Sequence, residues 1–168
     1  MTMSMYGASV PLFQRALKGL SHVLEKGAAF AEAKKIDPAV LLQSRLAPDM
    51  FPLIAQVQLA SDQTKGGVAR LAGIEAPKFA DDETTFPQAQ ERIAKTLAFI
   101  GGVTPAQIDG SEEREIVLKM RAGELKLTGE RFLIGFAIPN MLFHCTTAYV
   151  ILRHNGADLG KRDFLSAV

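Results

Sequence analysis

The sequence predicts an all-α protein, a four-helix bundle with long connections and a small β-hairpin before the last helix. Three observations carry that fold class. Apolar residues recur at three- and four-residue steps through most of the chain. The period drops to two only between Glu115 and Thr128, too short a stretch for more than a hairpin. Capping and breaking residues fall between the periodic runs, at Asp37-Pro38, Thr85, Gly101-Gly102, Thr128 and Asn155-Gly156. With 168 residues, 48% hydrophobic and 22% charged, the chain is long enough for one domain over 1–168 with a single core.

Phe13, Leu17, Leu20 and Leu24 give the first helix its buried face. Its end is expected near Gly27 or, through the Ala-rich stretch, near Lys35, with Pro11 in a first turn or at a kink. Asp37-Pro38 restarts the chain as a short helix through Leu46, and Pro48 and Pro52 bracket entry into the second long helix, about Leu53 to Ala72. Leu53, Gln56, Ala60, Gln63 and Gly67 form one stripe of it, beside a more apolar stripe of Met50, Ile54, Val57, Val68 and Leu71. A polar connector runs from Gly73 to Asp82. Thr85 with Gln88 three residues later is a capping box, and Phe86, Ile93, Leu97 and Ile100 make the buried face of a third helix that stops at Gly101-Gly102. Ile116, Leu118 and Met120 alternate, Arg121-Ala122-Gly123 supplies a turn, and Leu125 and Leu127 alternate again, which is a β-hairpin. Thr128 caps the fourth long helix, and Arg153 and His154 suit its last turn before Asn155-Gly156. Pro139 should kink this helix and free a carbonyl about one turn upstream.

Composition excludes several classes of function. There are 19 basic and 18 acidic residues, a formal charge of +1, and no long block of either sign, so nucleic acid is not an expected partner. The apolar stretch of the last third is interrupted by Gly135, Pro139, Asn140 and His144, which argues against a membrane span, and the N-terminus lacks the pattern of a secretion signal. A lone Cys145 fits a reducing cytoplasm. No Gly-x-Ser-x-Gly, phosphate-cradling glycine loop or HExxH occurs.

The most informative polar residues lie inside the most apolar segment, Phe132 to Leu152. Leu133, Phe136, Asn140, His144, Thr147 and Ile151 fall on one helical stripe, so Asn140 and His144 stand one turn apart and face a core. Buried polar groups need partners. Several local strings then resemble a known family. Met5-Tyr6 with Ser9-Val10-Pro11, Asp37-Pro38, the run Arg45 to Leu53 (RLAPDMFPL), and His144 to Gly156 (HCTTAYVILRHNG) followed by Leu159-Gly160-Lys161 look like an uncharacterised branch of the DinB/YfiT-like metalloenzyme superfamily. The resemblance spans essentially the whole chain. It implies a DinB/YfiT-like four-helix bundle, often a homodimer, whose better-known members hold a divalent metal with one histidine on the second helix and an HxxxH pair on the fourth. Some of those relatives are thiol-dependent transferases or isomerases.

Carried over residue by residue, the second histidine of that pair aligns with His144 and the first with Asn140. The second helix has no histidine; its polar candidates are Asp49, Gln56, Gln58, Asp62 and Gln63, of which Gln56 is best placed. A set of one imidazole, one amide and one carboxylate lacks the charge and nitrogen donors that zinc or nickel prefer, so the residues predict either a weak, oxygen-favouring divalent ion or none. Three readings stay open. One is a small-molecule enzyme with His144 as metal ligand or general base and Asn140, Gln56, Asp49 and Thr147 lining its pocket. Another is a non-catalytic small-ligand-binding module; the third is a structural bundle in which Asn140 answers the backbone loosened by Pro139 and His144 bonds Gln56 or a carbonyl. Phe132, Ile134, Ile138, Met141 and Phe143 lie off the His144 stripe, a surplus of apolar surface that predicts a two-fold homodimer. Cys145, a third of a turn from His144, is not placed for a nucleophile pair, and Asp49 suits a helix cap as well as an acid.

Overall fold

The computed structural model describes residues 3–120 and 123–165. Helix α1 spans Met5–Lys34, started by Ser4, whose side chain accepts from the Gly7 N–H at 3.1 Å, and ended by Lys35 in the left-handed region at φ 55°. It runs straight past Gly27 because that glycine serves packing. A Cβ there would lie 2.8 Å from a Leu152 methyl, so glycine lets α1 approach the last long helix. Pro11 sits inside α1, in its second turn.

Helix α2 is shorter than expected, Pro38–Leu42, capped by the Asp37 carboxylate on the Ala39 N–H at 2.9 Å. The chain then crosses without regular structure to α3, Leu53–Ala72, closed by Gly73 at φ 69°. Helix α4, Phe86–Gly101, begins with the Thr85–Gln88 capping box, and a short α5 follows at Pro105–Ile108. Strands β1 (Glu115–Met120) and β2 (Gly123–Thr128) pair antiparallel, with Glu115 opposite Thr128 and Met120 opposite Gly123. The expected turn residues Arg121 and Ala122 lie outside the described residues. Ile116 and Leu118 turn the hairpin's inner face to the core. Its base is joined to the next helix where Glu130 donates to the Glu112 carbonyl at 3.0 Å, and a Cβ on Gly129 would collide with the Ser111 carbonyl oxygen.

The last long helix is continuous from Gly129 to His154 but changes pitch within: α6 (Gly129–Phe132), a π-helical segment (Leu133–Ala137) and α7 (Ile138–His154). A terminal α8, Lys161–Leu165, is tied to α1 by Asp163, which accepts from Lys26 at 3.0 Å and bonds His22 at 3.2 Å. Helix α7 packs on α3 and α1, and α4 closes the bundle against α1 and α3. By length and composition alone the 129–154 helix could cross a membrane; one face of it, through Leu133, Ala137, Met141, Cys145, Ala148 and Leu152, is buried in the bundle.

The π segment corrects the predicted register. A π turn holds one residue more than an α turn, so residues beyond it are displaced by one around the helix. The predicted stripe continued from Leu133 through Phe136, Asn140, His144, Thr147 and Ile151; the deepest line of the core runs instead through Ala137, Met141, Cys145, Ala148 and Leu152. Each position has moved by one. His144 and Thr147 stay buried, at 9% and 6% exposure, on the edge of that line, while Asn140 is only half-buried. The surplus apolar face is also corrected. Phe132 and Met141 belong to the core and Ile138 is half-buried, whereas Ile134 and Phe143 are exposed at 58% and 57%.

Candidate functional site

His144 of α7 and Gln56 of α3 meet inside the bundle. The imidazole Nδ1 lies 2.8 Å from Gln56 Oε1, and Gln56, 2% exposed, donates through Nε2 to the Phe51 carbonyl at 3.0 Å. This chain of bonds fixes where the imidazole proton sits. The Phe51 carbonyl can only accept, so the Gln56 amide must present its nitrogen there and its oxygen to His144. That oxygen also only accepts, so Nδ1 carries the hydrogen and the neutral ring keeps its lone pair on Nε2. Burial depresses the pKa of His144 and favours this neutral form. Nε2 has no hydrogen-bond partner among the described residues, and the ring of the exposed Phe143 stands edge-on with centroids 5.4 Å apart.

The other predicted site residues do not join this pair. Asn140 turns back along its own helix and donates to the Phe136 carbonyl at 3.1 Å, which lies in the π segment just before Pro139. The N–H that Pro139 lacks would have met Gly135 or Ile134, so this bond to Phe136, four residues before Asn140, is a side chain bonding back to its own turn rather than to the carbonyl that the proline frees. Thr147 likewise donates to the Phe143 carbonyl at 2.7 Å. Asp49 is exposed in the turn preceding α3; it does not cap that helix, whose N-cap is Pro52. Cys145 is fully buried against Met141 sulfur at 3.6 Å, and burial pushes its thiol up to about 12, out of reach of nucleophilic chemistry at neutral pH.

The metal of the wider superfamily does not fit these residues. A divalent ion needs three or more converging donors, and among the described residues no group of three His, Cys, Asp or Glu side chains can hold one. Of the amides that would have to substitute, Gln56 is spent on His144 and Phe51, and Asn140 on Phe136.

A second polar cluster escaped sequence reasoning. Arg92 of α4 is 2% exposed; its Nη1 donates to the Ala80 carbonyl at 3.0 Å and pairs with Glu83 and Asp81, both at 2.9 Å. Its Nη2 reaches Asp62 of α3 at 2.7 Å. Burial pushes the Glu83 carboxyl up, but hydrogen bonds from Arg92 and Gln58 outweigh it and hold the group below its ordinary range. Phe79 stacks beneath Arg92 and Lys65 with the cations 5.4 and 5.1 Å from its ring centre. The polar connector is therefore fastened to α3 and α4 through one guanidinium. The signal available was Arg92 itself, one residue before Ile93 on a helix whose buried face is otherwise apolar or small.

Comparison with known proteins agrees with this architecture. Residues 5–165 match a family model described as a domain of unknown function, DUF1993. A crystal structure of a DinB family member protein from Shewanella denitrificans is similar, with 46% sequence identity and a TM-score of 0.89 over 97% of this chain and 92% of that one. No curated protein matches.

Proposed function

The chain belongs to the DUF1993 family, a DinB-like branch, and on that premise we propose that it is a small-molecule-handling bundle whose site is the free Nε2 of His144, working without a metal. The observation that carries this reading is the Phe51–Gln56–His144 chain. A base held in one tautomer by a buried partner is what proton transfer or recognition of a ligand N–H or O–H requires. In this arrangement Gln56 is the positioning residue and His144 the group that meets the ligand. The same geometry takes the place of metal chemistry at the position where the superfamily holds its ion.

A homodimer and a cytoplasmic location belong to the same proposal. Pro139, Phe143, Thr146 and Val150 follow one another at three- and four-residue steps on the exposed side of α7, with Leu142 beside them and no charge among them. A two-fold contact through this face would cover Phe143 and set His144 beside the interface. The single buried thiol supports the cytoplasm.

Long-range proton–nitrogen NMR correlation of the His144 ring tests the site, with Nδ1 expected to carry the proton at neutral pH. Zinc titration followed by thermal unfolding tests the chemistry. A zinc-dependent rise in melting temperature that is lost in His144→Ala would replace this reading with a metal site. The structural reading is favoured by Asn140 and Thr147, both of which bond their own helix. Ligand-observed NMR with a fragment library separates the two, since a structural pair yields no binder sensitive to His144→Gln.

A further inference from the structure

A groove of about 600 Å³ opens on the other half of α3, away from Gln56, and nothing in the His144 reading uses it. Three separate elements bring cations to its wall: Lys65 and Arg70 from α3, Lys78 from the connector and Lys119 from β1. Asp62 is the one acid on that wall, and it is already shared by Arg92 at 2.7 Å and Lys65 at 2.9 Å. A chain with 19 basic and 18 acidic residues thus places four cations against one committed carboxylate at a single concavity. The cations are not equally free. Lys65 is nearly buried at 9% exposure, and Arg70 spends one N–H on the Gly66 carbonyl at 2.9 Å and lies over the Phe132 ring. Lys78 and Lys119 form no ion pair among the described residues, although Glu124 stands opposite Lys119 on the hairpin.

Apart from Gln63, the rest of the lining is apolar. Leu118 and half-buried Phe136 come from opposite sides of the groove, and Met120 and Ile74 are exposed at 47% and 39% along it. Gly66 keeps the floor low. A Cβ there would lie 2.6 Å from Arg70 Nη1, so glycine leaves the guanidinium room to fold over the helix. A few charged donors around apolar walls, at a volume within the usual range for small-molecule sites, match a ligand with an apolar body and one anionic group.

We infer that this groove binds a small amphiphilic anion, an aromatic or aliphatic body bearing a carboxylate, sulfonate or phosphate. Lys78 and Lys119 supply attraction to its charge, and Phe136, Leu118 and Met120 cover its body. The site is independent of His144, so its test stands whether or not that reading holds.

The probe is 8-anilinonaphthalene-1-sulfonate, an aromatic monoanion, followed by fluorescence on the full chain and compared with its uncharged counterpart N-phenyl-1-naphthylamine. Saturable one-to-one binding is expected, weakened by salt and weakened roughly tenfold or more in the double variant Lys78→Gln/Lys119→Gln. Lys18→Gln, which removes an exposed charge on α1, should bind as the wild type does. Both exchanged lysines are exposed and unpaired among the described residues, so the variant should keep its fold, which circular dichroism and a thermal melt verify. Amide shifts on titration are expected at Gly66, Ala69 and Lys119. Unchanged affinity in the double variant overturns the inference, as do equal binding of the uncharged probe or shifts that map elsewhere. Sedimentation with phosphatidylglycerol vesicles in place of binding the free probe would also overturn it, making the patch a membrane surface.

Discussion

Replacing His144 by Ala removes the only donor, among the described residues, that the Gln56 side-chain carbonyl has across the α3–α7 seam. Gln56 is 2% exposed, so its oxygen cannot simply exchange the imidazole for bulk water, and leaving such a group unanswered costs about 1–3 kcal/mol. Gln56→Ala reverses the roles and strands the Nδ1 hydrogen of a ring that is 9% exposed, at a similar cost. Because both substitutions break one bond, the double variant should cost less than their sum, with a coupling of about 0.5–3 kcal/mol. Urea unfolding reads this as a lower midpoint at unchanged slope, and heating as a fall of about 2–4 °C per kcal/mol in a chain of this size. The pH dependence has a definite sign. Burial depresses the folded-state pKa of His144 below its ordinary value of 6.5. As pH falls through about 6.5 the unfolded chain therefore takes up a proton that the folded one refuses. Stability should decline from there until the folded-state pKa is reached and then level off, and His144→Gln should remove that slope. If His144→Ala costs less than about 0.5 kcal/mol, or the two single variants add, the ring lies in a hydrated pocket and the bonded chain is not what orients it.

Arg92→Ala should destabilise by about 3 kcal/mol in denaturant, since it leaves the nearly buried Glu83 without its cation while Asp62 keeps Lys65, and Arg92→Met should recover part of the loss through packing. Gly129→Ala should cost about 1–3 kcal/mol by the same assay, because its Cβ meets a backbone oxygen of Ser111 that cannot rotate away. If the proposed homodimer forms, light scattering should report a dimer for the wild type and a monomer for Phe143→Glu, which places a charge on the exposed α7 face; a monomeric wild type would remove the dimer altogether.

Three helix starts were legible in the sequence from their side-chain caps, although the Ser4 cap of α1 was not. The Thr85–Gln88 box and the Asp37 and Thr128 caps all bond as their spacing implies, and the period-two stretch became the hairpin. The same logic was available for α5 but went unread. Thr104-Pro105-Ala106-Gln107 repeats the Thr-to-Gln spacing, and the Gln107 side chain accepts from the Thr104 N–H at 2.9 Å. Gly27 left the end of α1 open between itself and Lys35, because a glycine that permits close packing looks in sequence like one that ends a helix.

The site was half legible, and the reason lies in the pitch of one helix turn. A stripe drawn at 3.6 residues per turn assumes one hydrogen-bonding pattern from end to end, and Pro139 was read only as a kink in that pattern. The chain instead widens into a π turn just ahead of the proline, and every later position rotates by one residue. Asn140 thereby moves to the edge, where its amide serves the widened backbone, and Cys145 and Met141 take the centre of the core. His144 survives the shift because a long polar side chain at the rim of a seam can still reach inward, and Gln56, on a helix with no such insertion, stands where its own stripe put it. Asn140 and His144 still stand one turn apart on α7, but the Asn140 amide turns back to Phe136 while His144 reaches Gln56, the partner that the inward stripes of the two helices had offered it.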